Sequence, residues 1–207
     1  HIFSMMVRGE QPIALLGRAD AGFHARLKTF LDADHVVITP DMVGEICRRI
    51  EDLPGDHPKV GVPTLEESPK FFADALYRTK AEIVDITDAF VVAKAPKAPY
   101  ELQLLQEASD LAVAAFEEVV KYIQPGMTEK EVIGFAEGYL RAHGAEDLLI
   151  LSRGEYPHAF INRPTFRRIG KDDLFVFSVE IAGIYGYWTQ IIRPIFLSKE
   201  SNREAYE

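Results

Sequence analysis

The chain carries very little cysteine: Cys47 is the only one among 207 residues. A single cysteine excludes an intramolecular disulfide and any metal site built from several thiolates. Because Cys47 lies in a helical pattern, MVGEICRRI, we expect a small buried thiol without a catalytic role. Freedom from disulfides is typical of a reducing compartment, so a cytoplasmic location is the default expectation.

Long apolar runs and a surplus of basic charge are also missing. No run approaches the roughly 18 residues that a membrane-spanning helix needs, and the first residues, HIFSMMVRGE, lack the layout of a signal peptide. Lys and Arg number 23 against 32 Asp and Glu, which gives a formal net charge of −9. This balance argues against nucleic acid or an anionic membrane as a partner. Neither end carries a cap or tail, so we expect part of a longer polypeptide.

The composition is that of a globular protein, with 47% hydrophobic and 27% charged residues. Short apolar runs alternate with helical patterns in the first part of the chain, which predicts an α/β layer domain. The predicted strands are 12–17, 35–40, 59–63 and 82–86, and the predicted helices are 41–51 and one opening at Ser68-Pro69.

The segment KAPKAP, residues 94–99, is the clearest domain boundary because two prolines in four residues interrupt any helix or central strand. We therefore predict domains at 1–96 and 97–207. A wide apolar stripe predicts a long helix over 100–123, and Thr128 with Glu131 forms a capping box for a second helix. The remainder is predicted as strands, at 147–152, 173–180 and 185–197.

Five motifs follow one another in the second domain in a fixed order. They are KAPYE (97–101), PGMTE (125–129), Gly154 with Pro157-His158, IGKDD (169–173), and Gly186-Tyr187 with Arg193. This order resembles the pita-bread family of creatinase, aminopeptidase P, prolidase and methionine aminopeptidase. The resemblance implies an α/β N-terminal domain, its start missing, followed by the first half of an α+β pita-bread catalytic domain. The second half, with a His and two Glu ligands in metal-dependent members, lies outside the chain.

The resemblance also implies two hairpin aspartates that bind metal in those members, and this chain departs from that pattern. The matching positions are Val179 and Gln190, and Glu180 is the neighbour of the first. Because adjacent strand residues point to opposite faces, Glu180 should lie on the face opposite Val179, and a one-residue slip would turn the ligand away unless a bulge intervenes. A paired divalent centre needs several anionic oxygens, so no metal cofactor is predicted. Two divalent ions remain the alternative if Glu180 and the missing half rebuild a site.

Creatinase offers a precedent within the family for C–N hydrolysis without metal, using a histidine that matches His158 here. Imidazole titrates near neutral pH, so His158 is the predicted catalytic proton shuttle; a structural strand-end histidine is the alternative. The predicted substrate-binding residues are Glu180, Tyr187, Trp188, Gln190 and Arg193. Each has a structural alternative: a solvent-facing charge, aromatic packing or an ion pair. Three arginines, Arg163, Arg167 and Arg168, either attract an anionic substrate or form a solvated loop.

Three functions stay open at this point. The first is a creatinase-like or Xaa-Pro peptidase-like hydrolase of a small amide, amidino compound or proline-containing peptide. The second is an inactive member that binds a peptide, a protein or nucleic acid, and the third is a metallopeptidase with a site rearranged around Glu180. The resemblance further implies a homodimer, because relatives of this type commonly pair.

Overall fold

The computed structural model describes residues 2–17, 31–153 and 161–198, and the chain divides into two compact units, His1–Pro96 and Lys97–Glu207. The elements of the first unit alternate as the sequence predicts. They are β1 (Ile2–Met5), β2 (Ile13–Leu16), β3 (Val36–Ile38), α1 (Met42–Glu51), β4 (Lys59–Val62), α2 (Lys70–Leu76), β5 (Glu82–Asp85) and α3 (Thr87–Lys94). Across the described residues, no helix is both long and apolar enough to cross a membrane.

Two small sheets organise the first unit. In one, β2 pairs with β1 antiparallel and with β3 parallel; in the other, β4 and β5 are parallel. Helix α1 begins where the Asp41 carboxylate accepts the Gly44 amide at 2.9 Å, as an N-cap does. A buried apolar cluster holds the unit together: Leu15, Ile46, Ile50, Phe72 and Leu76. The α/β interpretation of this part is correct.

Two elements of the first unit were not predicted. Strand β1 is four residues long and gives too short a pattern to recognise. Helix α3 reads as an extension of the preceding strand, since Phe90, Val91 and Val92 are apolar and two are β-branched. A local turn starts it, because the Asp85 carboxylate accepts both the amide (2.7 Å) and the hydroxyl (2.6 Å) of Thr87.

The second unit contains two helices and a three-stranded sheet within its described residues. These are α4 (Pro99–Tyr122), α5 (Glu129–Ala142), β6 (Asp147–Arg153), β7 (Leu174–Ala182) and β8 (Trp188–Phe196). Pro99 stands at the first position of α4, where its missing amide costs no helical hydrogen bond. The predicted capping box starts α5: the Thr128 hydroxyl accepts the Glu131 amide at 3.2 Å, and the Glu131 carboxylate accepts the Thr128 amide at 2.6 Å.

The sheet runs β6-β7-β8, antiparallel throughout, with β7 in the centre. One face packs against α4 and α5 and forms the core of the unit. Its central residues are fully buried: Phe175, Phe177, Val179 and Ile181. Since successive strand residues alternate, the other face carries Ser178 and Glu180. Neither described helix covers that second face, and the candidate site lies on it.

Candidate functional site

The candidate site is a polar pair on the uncovered face of the β7–β8 hairpin. The strand register sets Glu180 directly opposite Gln190 and Ser178 opposite Ile192. The Gln190 amide Nε2 donates to Glu180 Oε1 at 2.9 Å and to Ser178 Oγ at 3.3 Å. Glu180 is half-buried, Gln190 is exposed, and Ser178 is fully buried beneath them. The result is one carboxylate of the hairpin held in a fixed orientation by a neighbouring amide.

This register corrects an expectation from the sequence. The spacing of the motif assigned the two hairpin aspartate positions to Val179 and Gln190. It therefore placed Glu180, the neighbour of Val179, on the opposite face of the strand. In the structure Val179 is 0% exposed and lies opposite Ile191, on the core face. Glu180 does lie on the face opposite Val179, as strand alternation predicts. That face is the one that carries Gln190, so the matching of Val179 with Gln190 is wrong.

The turn between β7 and β8 explains the difference. It closes with Ala182 opposite Trp188, and the Gly183 amide donates to the Tyr187 carbonyl at 3.0 Å. Within it, Tyr185 takes a left-handed conformation with φ 65°, and Gly186 follows with φ 76°. The pair Ala182-Gly183 predicts a turn at this place, but a non-glycine residue at positive φ is uncommon, so the length of the turn is not predictable from its residues. The turn length fixes the register and with it which residue of β8 lies opposite Glu180.

Apolar and aromatic groups surround the pair on the same face. Trp188 stands two residues from Gln190 and is 49% exposed. Strand β6 contributes Leu149, directly opposite Glu180, and Leu151, directly opposite Ser178; both are half-buried. A carboxylate beside an exposed indole is an arrangement that attracts a cation, through its charge and through the ring face.

The structure does not bring Tyr187 to this face. Its hydroxyl donates to Glu101 Oε1 at 2.8 Å, which ties the hairpin to the first turn of α4. The same hydrogen bond raises the pKa of Tyr187 to about 12. The pKa of Glu101 is lowered, mainly because its carboxylate accepts the Ala98 amide and also because it accepts the Tyr187 hydroxyl. Tyr187 therefore positions the hairpin and does not line the surface around Glu180.

Arg193 also lies away from Glu180. It stands opposite Phe177, a core residue, and so belongs to the helix-facing side of β8. Its guanidinium is exposed and donates to the Ile192 carbonyl at 2.7 Å. Of the five predicted substrate-binding residues, the register brings Glu180, Trp188 and Gln190 together.

The predicted proton shuttle, His158, lies outside the described residues. The three arginines that follow it in sequence are arranged differently from one another. Arg167 forms a two-point ion pair with Asp173, at 2.7 and 3.0 Å, and Arg168 donates to the Gly126 carbonyl at 2.7 Å. Arg163 is exposed. Arg167 and Arg168 are therefore tied to neighbouring groups of the loop.

Ser178 and Cys47 are the two remaining polar side chains of interest. Ser178 was missed, although its position two residues before Glu180 on one strand places both on one face. Cys47 is half-buried, and burial raises the pKa of its thiol. A raised pKa keeps the thiol protonated and unreactive, in line with its predicted structural role.

A pair of divalent metal ions does not fit the described residues. The hairpin supplies one carboxylate, Glu180, and the neighbouring Gln190 uses its amide N–H to bind it. Within residues 2–17, 31–153 and 161–198, no three His, Cys, Asp or Glu side chains are grouped closely enough to hold a metal ion. One carboxylate cannot offset the charge of two dications, which require several anionic oxygens.

Solved structures share this fold over nearly the whole chain. Prolidase from Pyrococcus horikoshii OT3 superposes with a TM-score of 0.73 at 20% identity, covering 96% of this chain and 56% of the other. The Xaa-Pro dipeptidase from Bacillus anthracis gives 0.69 at 19% identity, over 94% and 54%. Aminopeptidase P from E. coli gives 0.67 at 13% identity, over 94% and 49%. The fold is therefore the pita-bread fold, of which the chain forms a part.

A family model assigns the chain more narrowly. Residues 103–207 match Peptidase_M24, metallopeptidase family M24, and the chain belongs to that family. Its relatives include the uncharacterized peptidase YqhT of Bacillus subtilis, 26% identical over 136 residues, which are 61% of this chain and 37% of that protein. The methionine aminopeptidase of Geobacillus stearothermophilus is 38% identical over 47 residues, 23% of this chain and 92% of that sequence. The chain spans about half the length of the solved relatives, and the matched part spans about a third of YqhT.

Proposed function

We propose that this protein hydrolyses a C–N bond in a small amide, an amidino compound or a short proline-containing peptide, and that it does so without a metal ion. The observation that carries the proposal is the Glu180–Gln190 hydrogen bond of 2.9 Å on the uncovered face of the sheet. It supplies one oriented carboxylate where a two-metal site would need several. The Xaa-Pro peptidases and prolidases with the same fold support a peptide-like substrate.

Glu180 is proposed to bind the cationic end of the substrate. Gln190 occupies Oε1, and no described residue donates to Oε2, so one oxygen stays available for an ammonium or amidinium group. The exposed Trp188 indole on the same face supplies a ring surface for that cation. Planar amidinium groups and protonated amines both suit this combination, because each presents N–H donors and positive charge together.

His158 is proposed to move the protons of the reaction. A water molecule attacks the carbon of the scissile C–N bond while the imidazole takes one of its protons. The new C–O bond forms, the C–N bond breaks, and the imidazolium returns the proton to the leaving nitrogen. Imidazole suits both steps because its ordinary pKa of about 6.5 lies near neutral pH.

Two other functions compete with this one. A single carboxylate is also what a non-catalytic member would need to bind the cationic terminus of a peptide. A metal-dependent peptidase stays possible if residues outside the described chain complete a site around Glu180. We further propose that the protein acts as a homodimer, with a small molecule or short peptide as its other partner.

Turnover by the purified full-length protein tests the proposal. The substrates are a Xaa-Pro dipeptide, an unrelated dipeptide and a creatine-like amidino compound, each assayed with and without a chelator. We expect turnover of at least one substrate, unchanged by chelation. Loss of all activity on chelation would favour the metallopeptidase, and absence of turnover with retained peptide binding would favour the binding module.

Three variants separate the proposed roles. His158→Ala is expected to lower kcat by about 100-fold or more, as loss of a general acid–base does. Glu180→Gln is expected to raise KM by about 10-fold, a loss of about 1.4 kcal/mol in binding. Glu137→Gln removes an equal charge from the exposed surface of α5 and is the matched control. Full activity of His158→Ala in a folded protein would reject its role.

A further inference from the structure

A small polar cavity lies beside the start of α5. Its volume is about 250 Å³, and its lining includes Ser152, Arg153, Arg163 and Glu129. Ser152 stands opposite Phe177, whose ring belongs to the core, so its side chain points to the opposite face of the sheet from Glu180. Neither the hairpin pair nor the proposed hydrolysis uses this cavity.

Ser152 carries a buried hydroxyl that has nothing to bind within the described protein. The residue is 1% exposed, and its Oγ has no hydrogen-bond partner there. Its backbone is fully engaged, since Ser152 and Asn162 exchange amide–carbonyl bonds of 2.8 and 3.1 Å. Buried polar atoms are nearly always paired, and a ligand in the cavity with an acceptor atom would give this hydroxyl the partner it lacks.

The charges around the cavity favour an anion as that acceptor. The lining contains three arginines, Arg153, Arg163 and Arg167, and one acid, Glu129. Thr165 already satisfies Glu129, because its amide (2.9 Å) and its hydroxyl (2.8 Å) both donate to Oε2. Asp173 neutralises Arg167. Arg163 forms no ion pair with a described residue, and its guanidinium is the cation that a ligand in the cavity would meet.

The groups available to a ligand in this cavity are side chains and not the backbone amides of α5. The first amides of α5 are already bound, with Glu129 donating to the Arg167 carbonyl at 3.1 Å and Lys130 to the Thr165 carbonyl at 3.2 Å. We infer that the cavity binds a small oxyanion, a phosphate or a carboxylate, which accepts the Ser152 hydroxyl and pairs with Arg163. The planar guanidinium fork suits either anion.

Thermal unfolding of the full-length protein tests this inference, in phosphate, acetate and chloride at matched ionic strength. At a phosphate or acetate concentration about 100-fold above Kd, we expect Tm to rise by about 5 °C over chloride. Isothermal titration with the same anion should then give saturable binding. A rise with phosphate alone identifies phosphate as the ligand, and a rise with acetate alone identifies a carboxylate.

Single substitutions test whether the anion-dependent rise in Tm comes from binding in this cavity. Ser152→Ala and Arg163→Gln should each lower the anion affinity at least about 10-fold and reduce the anion-dependent rise in Tm. Lys171→Gln, an exposed cation in the same unit, should leave the rise intact. Equal Tm values in all three salts would overturn the inference. So would an anion-dependent rise that both cavity variants retain, because the anion would then bind elsewhere.

Discussion

Replacing Gln190 with Glu tests the hairpin register directly. In the native protein the Gln190 amide and the Glu180 carboxylate are 2.9 Å apart, as a donor and its acceptor. In Gln190→Glu two carboxylates face each other, and the attraction becomes repulsion. Like charges directly opposite on neighbouring strands destabilise a sheet.

The size of the effect follows from Coulomb's law. Two unit charges about 4 Å apart repel by about 4 kcal/mol at an effective dielectric constant of about 20, and by about 1 kcal/mol in bulk water. Glu180 is half-buried and Gln190 is exposed, so an intermediate value applies. We expect the free energy of unfolding to fall by about 2 kcal/mol at pH 7.

The pH dependence gives the sharper test. Repulsion disfavours the doubly charged pair, so the folded variant binds a proton more tightly than the unfolded chain, in which glutamate titrates near about 4.3. The deficit should therefore be largest at neutral pH and should shrink as the pH falls toward about 4. Denaturant unfolding at several pH values measures it.

A charge-matched control completes the experiment. Gln124→Glu adds the same charge at an exposed position just beyond α4. It should leave the free energy of unfolding within about 0.5 kcal/mol of the native value. If Gln190→Glu behaves like this control at every pH, Glu180 does not face Gln190 and the reasoning fails.

Three further substitutions have defined outcomes. Tyr187→Phe removes the hydrogen bond to Glu101 and should lower the free energy of unfolding by about 1 kcal/mol. With the pKa of Tyr187 raised from 10.0 to about 12, that contribution is complete below pH 10 and disappears as the pH rises through 12. Gly183→Ala would place a Cβ 2.9 Å from the Ala108 Cβ and should cost about 1–3 kcal/mol. Gly134→Ala, in the exposed interior of α5 with nothing within 4 Å, should stabilise by about 0.5–1 kcal/mol. Denaturant unfolding measures all three, and a neutral Gly183→Ala would show that the turn does not touch α4.

Local signals in the sequence are sufficient for most of the fold. The apolar stripe of residues 100–123 and the capping box at Thr128 predict α4 and α5 to within about two residues, because both signals are contained in the helix itself. The alternation of strands and helices before residue 94 likewise identifies an α/β unit. Patterns of this kind depend only on residues close together in the sequence, so they can be recognised without knowledge of the tertiary structure.

The candidate site was predicted less completely, for a physical reason. Which residue of β8 lies opposite Glu180 depends on the turn length, which depends on the left-handed conformation of Tyr185. A tyrosine does not by itself indicate a left-handed conformation. An error of one residue in the strand register moves a side chain to the other face of the sheet. The alternation of side chains along β8 also places Tyr187 and Arg193 away from Glu180, although all three were predicted to bind the substrate.

The metal content of the full-length protein decides whether its hydrolysis needs a metal ion. The protein is purified without added metal, incubated with excess Mn²⁺ or Co²⁺, passed through a desalting column and analysed for bound ion per chain. A hairpin with Glu180 as its one acid predicts far less than one equivalent of either ion. Two tightly bound equivalents in an active enzyme would refute metal-independent hydrolysis.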